Sequence, residues 1–265
     1  MDLSTKKTYF LITGASKGIG KCMAIECCKK FVKNSLAVLV ARSASGLEKT
    51  KNEIEQNNPQ IKVKVIPMDL TKANSNDYDN LLSDSVGNCF GSDNFERAII
   101  IHNVGSLGDV TCKAKDFNDN QKWSEYFHLN VFSVAALNSQ FIKKFSKCEK
   151  IIINITSKCA IEPFNSLTFY CSGKAAREMY FRCLANEEAI DSKSNILVLN
   201  YSPGPVDTDM SLEIQNKSSD DNIKEVFGNM RAKKEILTPI QTTKKFIDVL
   251  EAKKFKSGDH IDYFD

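Results

Sequence analysis

Short apolar runs alternate with helix-length segments along this chain, and that alternation constrains the fold more than any single motif. The runs lie at residues 9–13, 36–41, 63–68, 98–102, 151–155 and 196–200. Most are rich in valine and isoleucine with little polar alternation, the pattern of strands covered on both faces. Between them lie helix-length segments at 19–31, 46–57, 76–89, 122–145 and 169–186. A further helix is expected to open at Pro239, a favoured first helical residue, with Thr238 as its cap. A last short strand is expected within 260–264. Alternating strand and helix imply parallel strands joined by right-handed crossovers. The expected fold is therefore α/β, a doubly wound parallel sheet of about seven strands with helices on both faces.

At 265 residues the length allows one domain or two. No repeat, Gly/Ser linker or low-complexity tract marks a boundary, so residues 1–265 are expected to form a single domain. The polar stretch at about 209–236 breaks the rhythm and is expected to be a lid or substrate loop. Lys plus Arg number 36 against 33 Asp plus Glu, a net charge of +3, which argues against a nucleic-acid wrapper or a polybasic membrane binder. No run of 18 apolar residues occurs and the polar N-terminus lacks a signal-peptide pattern, so no membrane span or secretion is expected. The cysteine count is nine, odd and without a CxxC pair, and the only histidines, His102, His128 and His260, lie far apart. That pattern excludes a zinc-ligand set and suggests reduced thiols in a cytoplasmic protein.

After the first strand comes Thr13-Gly14-Ala15-Ser16-Lys17-Gly18-Ile19-Gly20. Glycines at a strand-to-helix turn let backbone approach a pyrophosphate closely, and the helix N-terminus offers free N–H groups and a positive dipole end. This is the context in which a glycine triplet becomes a Rossmann-like dinucleotide signal. The second strand ends Val40-Ala41-Arg42-Ser43, with no carboxylate for a ribose 2′-hydroxyl. Arg42 can grip a 2′-phosphate bidentately, Ser43 can add a hydrogen bond, and Lys17 adds a second cation. The expected cofactor is NADPH/NADP.

The spacing TGxxxGxG resembles that of the short-chain dehydrogenase/reductase family, and the resemblance spans essentially the whole chain. His102-Asn103-Val104-Gly105 looks like that family's NNAG turn, with His and Val as departures. Asn130, Ser157, Tyr170 and Lys174 stand where the family keeps its Asn-Ser-Tyr-Lys tetrad. The resemblance implies cofactor contacts from Asn103 and Gly105, from Asp69-Leu70 after the third strand, and from Pro203, Gly204, Val206 and Thr208 after the sixth. Tyr170 and Lys174 are four residues apart and share a helix face. An ammonium beside the phenol would lower its pKa and fit it for general acid work. Ser157 would hold the carbonyl oxygen, and Asn130 would hold a relay water. Cys159 and Cys171 flank these residues, but no histidine lies nearby to serve as base, so packing or pocket lining is their expected role.

Within the family, the strings at 103–110, 170–177, 199–210 and 255–265 resemble the members that reduce side-chain ketones of pterins. That resemblance implies a small-molecule pterin substrate. Asp262 would be its anchor, because one carboxylate can accept two neighbouring N–H groups from the pterin's pyrimidinone edge. Cys159, Phe164, Leu167 and Met210 are candidate apolar walls beside Ser157 and Tyr170. The resemblance also favours a homodimer, with no nucleic-acid, membrane or metal partner. The alternatives are a broad NADPH carbonyl or dicarbonyl reductase and a non-enzymatic NADP(H)-binding sensor.

Overall fold

The structure is a computed structural model that describes residues 1–90 and 94–265. Among these residues a single sheet contains β1 (Thr8–Thr13), β2 (Leu36–Ala41), β3 (Lys62–Pro67), β4 (Arg97–His102), β5 (Glu149–Ile155), β6 (Ile196–Ser202) and β7 (His260–Asp262). The spatial order is β3-β2-β1-β4-β5-β6-β7, with every pairing parallel. Every residue of β1, β2 and β4 is buried, as strands covered on both faces require. The edge strand β3 begins at an exposed Lys62 and ends at Pro67, residue types that discourage further pairing.

The helices are α1 (Gly18–Cys28), α2 (Ala44–Asn57), α3 (Ser75–Phe90), α4 (Asn120–Phe127), α5 (Ser133–Lys144), α6 (Thr168–Glu188), α7 (Asp209–Lys217), α8 (Asp221–Ala232) and α9 (Pro239–Ala252). Successive side chains of a strand point to opposite faces, so β1 feeds two cores. Phe10 and Ile12 pack with Met23 of α1, Leu47 of α2 and Phe246 of α9. Tyr9 and Leu11 pack with Leu81 of α3, Phe141 of α5 and Phe181 of α6. Each fully buried phenylalanine contributes roughly 1.5–3 kcal/mol. The expected doubly wound sheet with helices on both faces is therefore present. The chain runs outward from β1 through β2 to β3 and then crosses back to β4. That reversal opens a crevice at the carboxyl ends of β1 and β4, where such folds bind ligands.

Pro239 opens α9, and Thr238 and Gln241 form a reciprocal capping box, as the sequence suggested. Two expectations change. The helix expected over 122–145 is instead α4, a π-helical turn (His128–Phe132) and α5. At the π turn, Asn130 Nδ2 donates to Tyr126 O at 2.8 Å and Ser133 Oγ to Leu129 O at 2.7 Å, so side chains compete for the helical carbonyls. The stretch at 209–236 is no open loop but largely α7 and α8. Thr208 caps α7 through a capping box, and Asp220 caps α8 by accepting from Ile223 N at 2.9 Å. Among the described residues, no helix is long and apolar enough to cross a membrane, and no cluster of His, Cys, Asp or Glu could hold a metal ion.

Candidate active site

A cleft of about 1020 Å³ opens at the carboxyl ends of the central strands. At one end the loop between β1 and α1 supplies Gly14, Ser16 and Lys17, and the first turn of α1 supplies Gly18, Ile19 and Gly20. Gly14 has φ +73°, and a Cβ there would lie 2.7 Å from Asn103 Nδ2; one on Gly20 would lie 2.3 Å from Gly14 O. No side chain fits at either position, which leaves bare backbone at the start of α1, the cradle a diphosphate needs. Asn103 lines the cleft but spends its amide on the loop itself: Nδ2 donates to Thr13 O at 3.0 Å. Thr13 Oγ1, which the sequence did not single out, accepts from Asn103 N and Val104 N at 3.1 and 3.2 Å.

The next stretch of wall is Arg42 and Ser43 after β2, with Asp69 and Leu70 after β3. Arg42 is exposed, and its charge, after the hydrogen bonds from Thr71, helps hold the Asp69 carboxyl below the usual range. Ser43 caps α2, accepting from Gly46 N at 3.1 Å. Lys17 forms an exposed ion pair with Asp209 at the start of α7, across the mouth of the cleft.

Tyr170 and Lys174 project from α6 into the far end, joined by Gly105, Pro203, Thr208 and Met210. The Lys174 ammonium is buried and donates to Ile155 O at 2.6 Å. Burial and the Arg177 guanidinium hold its pKa well below the ordinary lysine value. Tyr170 does not show the expected lowering. Burial pushes its pKa up, Cys159 adds to the rise, and a hydrogen bond with Ser157 only opposes it. Desolvation outweighs the nearby amine, so the phenol is a proton holder. Ser157 begins a 3₁₀ turn after β5, its Oγ accepting from Cys159 N at 3.2 Å.

Cys159 and Leu167 form a third apolar cluster with Phe164, Tyr170 and Met210 beside the cleft. The neighbouring Cys159 thiol holds the Cys171 thiol below its ordinary value. Ser157, Asn130, Gly204, Val206 and Asp262 do not line the cleft. Asn130 is buried, bonding Ser106 N through Oδ1 at 2.9 Å and Ser106 Oγ through Nδ2 at 3.1 Å. Gly204 turns the chain at φ +73°, and Val206 is buried and bridges to Leu237. Asp262 sits on the edge strand β7 opposite Ser202, whose hydroxyl donates to Oδ2 at 2.5 Å; Phe264 N donates to Oδ1 at 3.1 Å.

Sequence reasoning missed Arg177. Only 1% exposed, it donates to Asn154 Oδ1 at 2.6 Å, to Val104 O at 2.7 Å and to His102 O. It thereby ties α6 to the turn after β4. An arginine three residues beyond Lys174, among small residues on the same helix, was the one available hint.

Residues 8–219 match the family model described as short chain dehydrogenase. Sepiapterin reductase from Xenopus tropicalis is 34% identical over 96% of this chain and 95% of that protein. Sepiapterin reductase from Bos taurus is 31% identical over 98% of this chain and 95% of its own length. A solved short-chain dehydrogenase/reductase from Saccharomyces cerevisiae superposes with TM-score 0.78 at 23% identity, covering 98% of this chain and 96% of that one, a likeness of fold. The matched stretch runs from β1 to just past α7 and so takes in the glycine loop, Ser157 and the Tyr170–Lys174 face. On these grounds the chain belongs to the short-chain dehydrogenase/reductase family of oxidoreductases.

Proposed function

We propose that this protein is an NADPH-dependent ketone reductase acting on pterins with side-chain carbonyls, sepiapterin and 6-pyruvoyl-tetrahydropterin among them. The observation that carries the reading is Tyr170, half-buried at the end of the cleft away from the glycine loop, on one helix face with Lys174 and with desolvation keeping its phenol protonated. The named similarity to sepiapterin reductases over nearly the full chain supports the pterin as substrate.

When bound, NADPH supplies the hydride. The loop from Gly14 to Gly20 would hold its diphosphate, and Arg42, Ser43 and Lys17 would hold the 2′-phosphate. Asp69 and Leu70 would serve the adenine, Lys174 the nicotinamide ribose, and the Pro203–Thr208 turn the carboxamide. Ser157 donates a hydrogen bond to the ketone oxygen and orients it. Tyr170 then delivers its proton to that oxygen as negative charge develops there. Asn130 keeps the turn at Ser106 in place and supports the proton relay. Phe164, Leu167, Cys159 and Met210 form the apolar wall against the pterin, with α7 and α8 as the cover. Asp262 anchors the ring: Ser202 and Phe264 N occupy two acceptor positions of its carboxylate, and a carboxylate has about four. Phe132 and Met179, both more than half exposed, would be covered in a homodimer. The free thiols among the described cysteines suit a cytoplasmic protein.

The test is NADPH oxidation with sepiapterin beside a panel of small dicarbonyls, on wild type and Asp262→Ala. Pterin turnover that collapses in the variant while dicarbonyl turnover persists supports the reading. Equal loss, or no loss, on both substrate classes favours a broad carbonyl reductase.

A further inference from the structure

Glu178 is a buried carboxylate with no part in the proton and hydride chemistry. It lies on α6 four residues beyond Lys174 and eight beyond Tyr170, so the three share one helix face. Its side chain is 3% exposed, and two donors converge on one oxygen. The Thr156 hydroxyl donates to Oε2 at 2.6 Å, and His260 Nδ1 lies 2.9 Å from the same atom. Thr156 directly precedes Ser157, and His260 is the first residue of β7.

The strand this contact holds is a weak element. β7 has three residues, all partly buried, at the edge of the sheet, registered as His260 with Asn200 and Asp262 with Ser202. Residues two apart in a strand face the same way, so His260 and Asp262 point to one side. The side-chain bond to Glu178 ties this short strand to the helix carrying Tyr170, beside the close approach of Gly258 to Ala185 and the backbone pairing with β6.

We propose that Glu178 and His260 are positioning residues whose contact sets the C-terminal strand, and with it Asp262, at the place where the pterin is bound. The proposal rests on the reading of Asp262 as pterin anchor. The charged groups bearing on the imidazole are Glu178 from α6 and Asp262 and Asp265 from its own segment; Thr156 and Asn200 opposite are neutral. The hydrogen bond to Glu178 raises the His260 pKa above its ordinary value of 6.5. A raised value means the charged clamp is fully present below about 6.5 and is lost as pH rises through the folded-state pKa.

The experiment is steady-state NADPH oxidation from about pH 6 to about pH 9 with sepiapterin and with a small α-diketone. It uses wild type, His260→Gln, Glu178→Gln and Asp262→Asn, with the His260 titration followed by histidine-ring NMR. In wild type, KM for sepiapterin should rise about fivefold as His260 loses its proton, the scale of trading a charge-assisted hydrogen bond for a neutral one. The turnover number and the diketone KM should not follow that titration. His260→Gln should fix KM at the higher value and flatten its pH profile, and Glu178→Gln should do the same where it folds. A sepiapterin KM that ignores the His260 titration, or follows the same profile in His260→Gln, overturns the positioning role while Asp262→Asn still raises KM. If Asp262→Asn leaves sepiapterin KM unchanged, the anchor reading fails, and the positioning role fails with it. The wild-type profile decides the matter even where a variant is unstable.

Discussion

The Lys174 ammonium donates to the carbonyl of Ile155 at 2.6 Å and stands 5.4 Å from the centre of the Tyr170 ring. It is thus anchored to the end of β5 rather than to the phenol. Desolvation keeps the Tyr170 phenol protonated, and the Ser157 hydroxyl beside it only opposes that rise. Tyr170→Phe should cut the turnover number by about 10²–10⁴-fold, the usual worth of a general acid. NADPH affinity, read by fluorescence titration, should stay within about twofold of wild type, since the ring and its packing remain. Near-normal turnover would remove Tyr170 from the mechanism.

Arg42 stands exposed at the end of β2 beside the cleft, with no carboxylate at that strand end. Arg42→Asp should move the preference from NADPH toward NADH. The loss of NADPH kcat/KM should be about 10–100-fold, as for a lost charge-assisted pair replaced by a like charge. Kinetics with both cofactors decide it, and an unchanged ratio counts against Arg42 as the phosphate ligand.

Arg177 is a structural cation rather than a chemical one. Replacing it with Met leaves Asn154 Oδ1 and the carbonyls of Val104 and His102 buried without their donor. Each orphaned acceptor costs about 1–3 kcal/mol, so Arg177→Met should lose several kcal/mol in urea unfolding. A loss below about 1 kcal/mol would mean that the turn after β4 does not depend on this guanidinium.

His102 gives the fold a pH dependence. Burial, with Arg177 adding, lowers its pKa to about 3, and Nε2 lies 3.2 Å from Asn138 Oδ1. The native state keeps it neutral while the unfolded chain protonates near 6.5. Between these values the unfolded state holds more protons, so stability falls as pH drops from about 6.5 toward 3, by at most about 1.4 kcal/mol per pH unit. His102→Asn should remove this one-proton part of the slope in denaturation curves taken at several pH values. An identical slope in the variant would mean that other groups carry it.

The doubly wound sheet could be read from the chain because its evidence is local. Five of the seven strands are built around a continuous apolar run, and Pro239 after Thr238 announces α9 without reference to any distant residue. The glycine loop was legible for the same reason: Gly14 to Gly20 must follow a strand and open a helix. The break at Asn130 was not, because the side chain that competes for Tyr126 O is held from the other side by Ser106. The polar stretch after Thr208 was misjudged as a loop, since low apolar content hid two capped helices packed on each other.

The sequence by itself determined the order of elements, the cofactor turn and the spacing that puts Tyr170 and Lys174 on one helix face. These follow from backbone period and turn chemistry, which act within a few residues. The tertiary structure alone decided the state of those side chains. Desolvation raises the Tyr170 pKa, Lys174 donates to Ile155 O, and Arg177 donates to Val104 O and Asn154 Oδ1. The fold also brings His260 to Glu178 across 82 residues of chain. Desolvation and buried hydrogen bonds depend on what surrounds an atom in space, and no window of sequence contains that information.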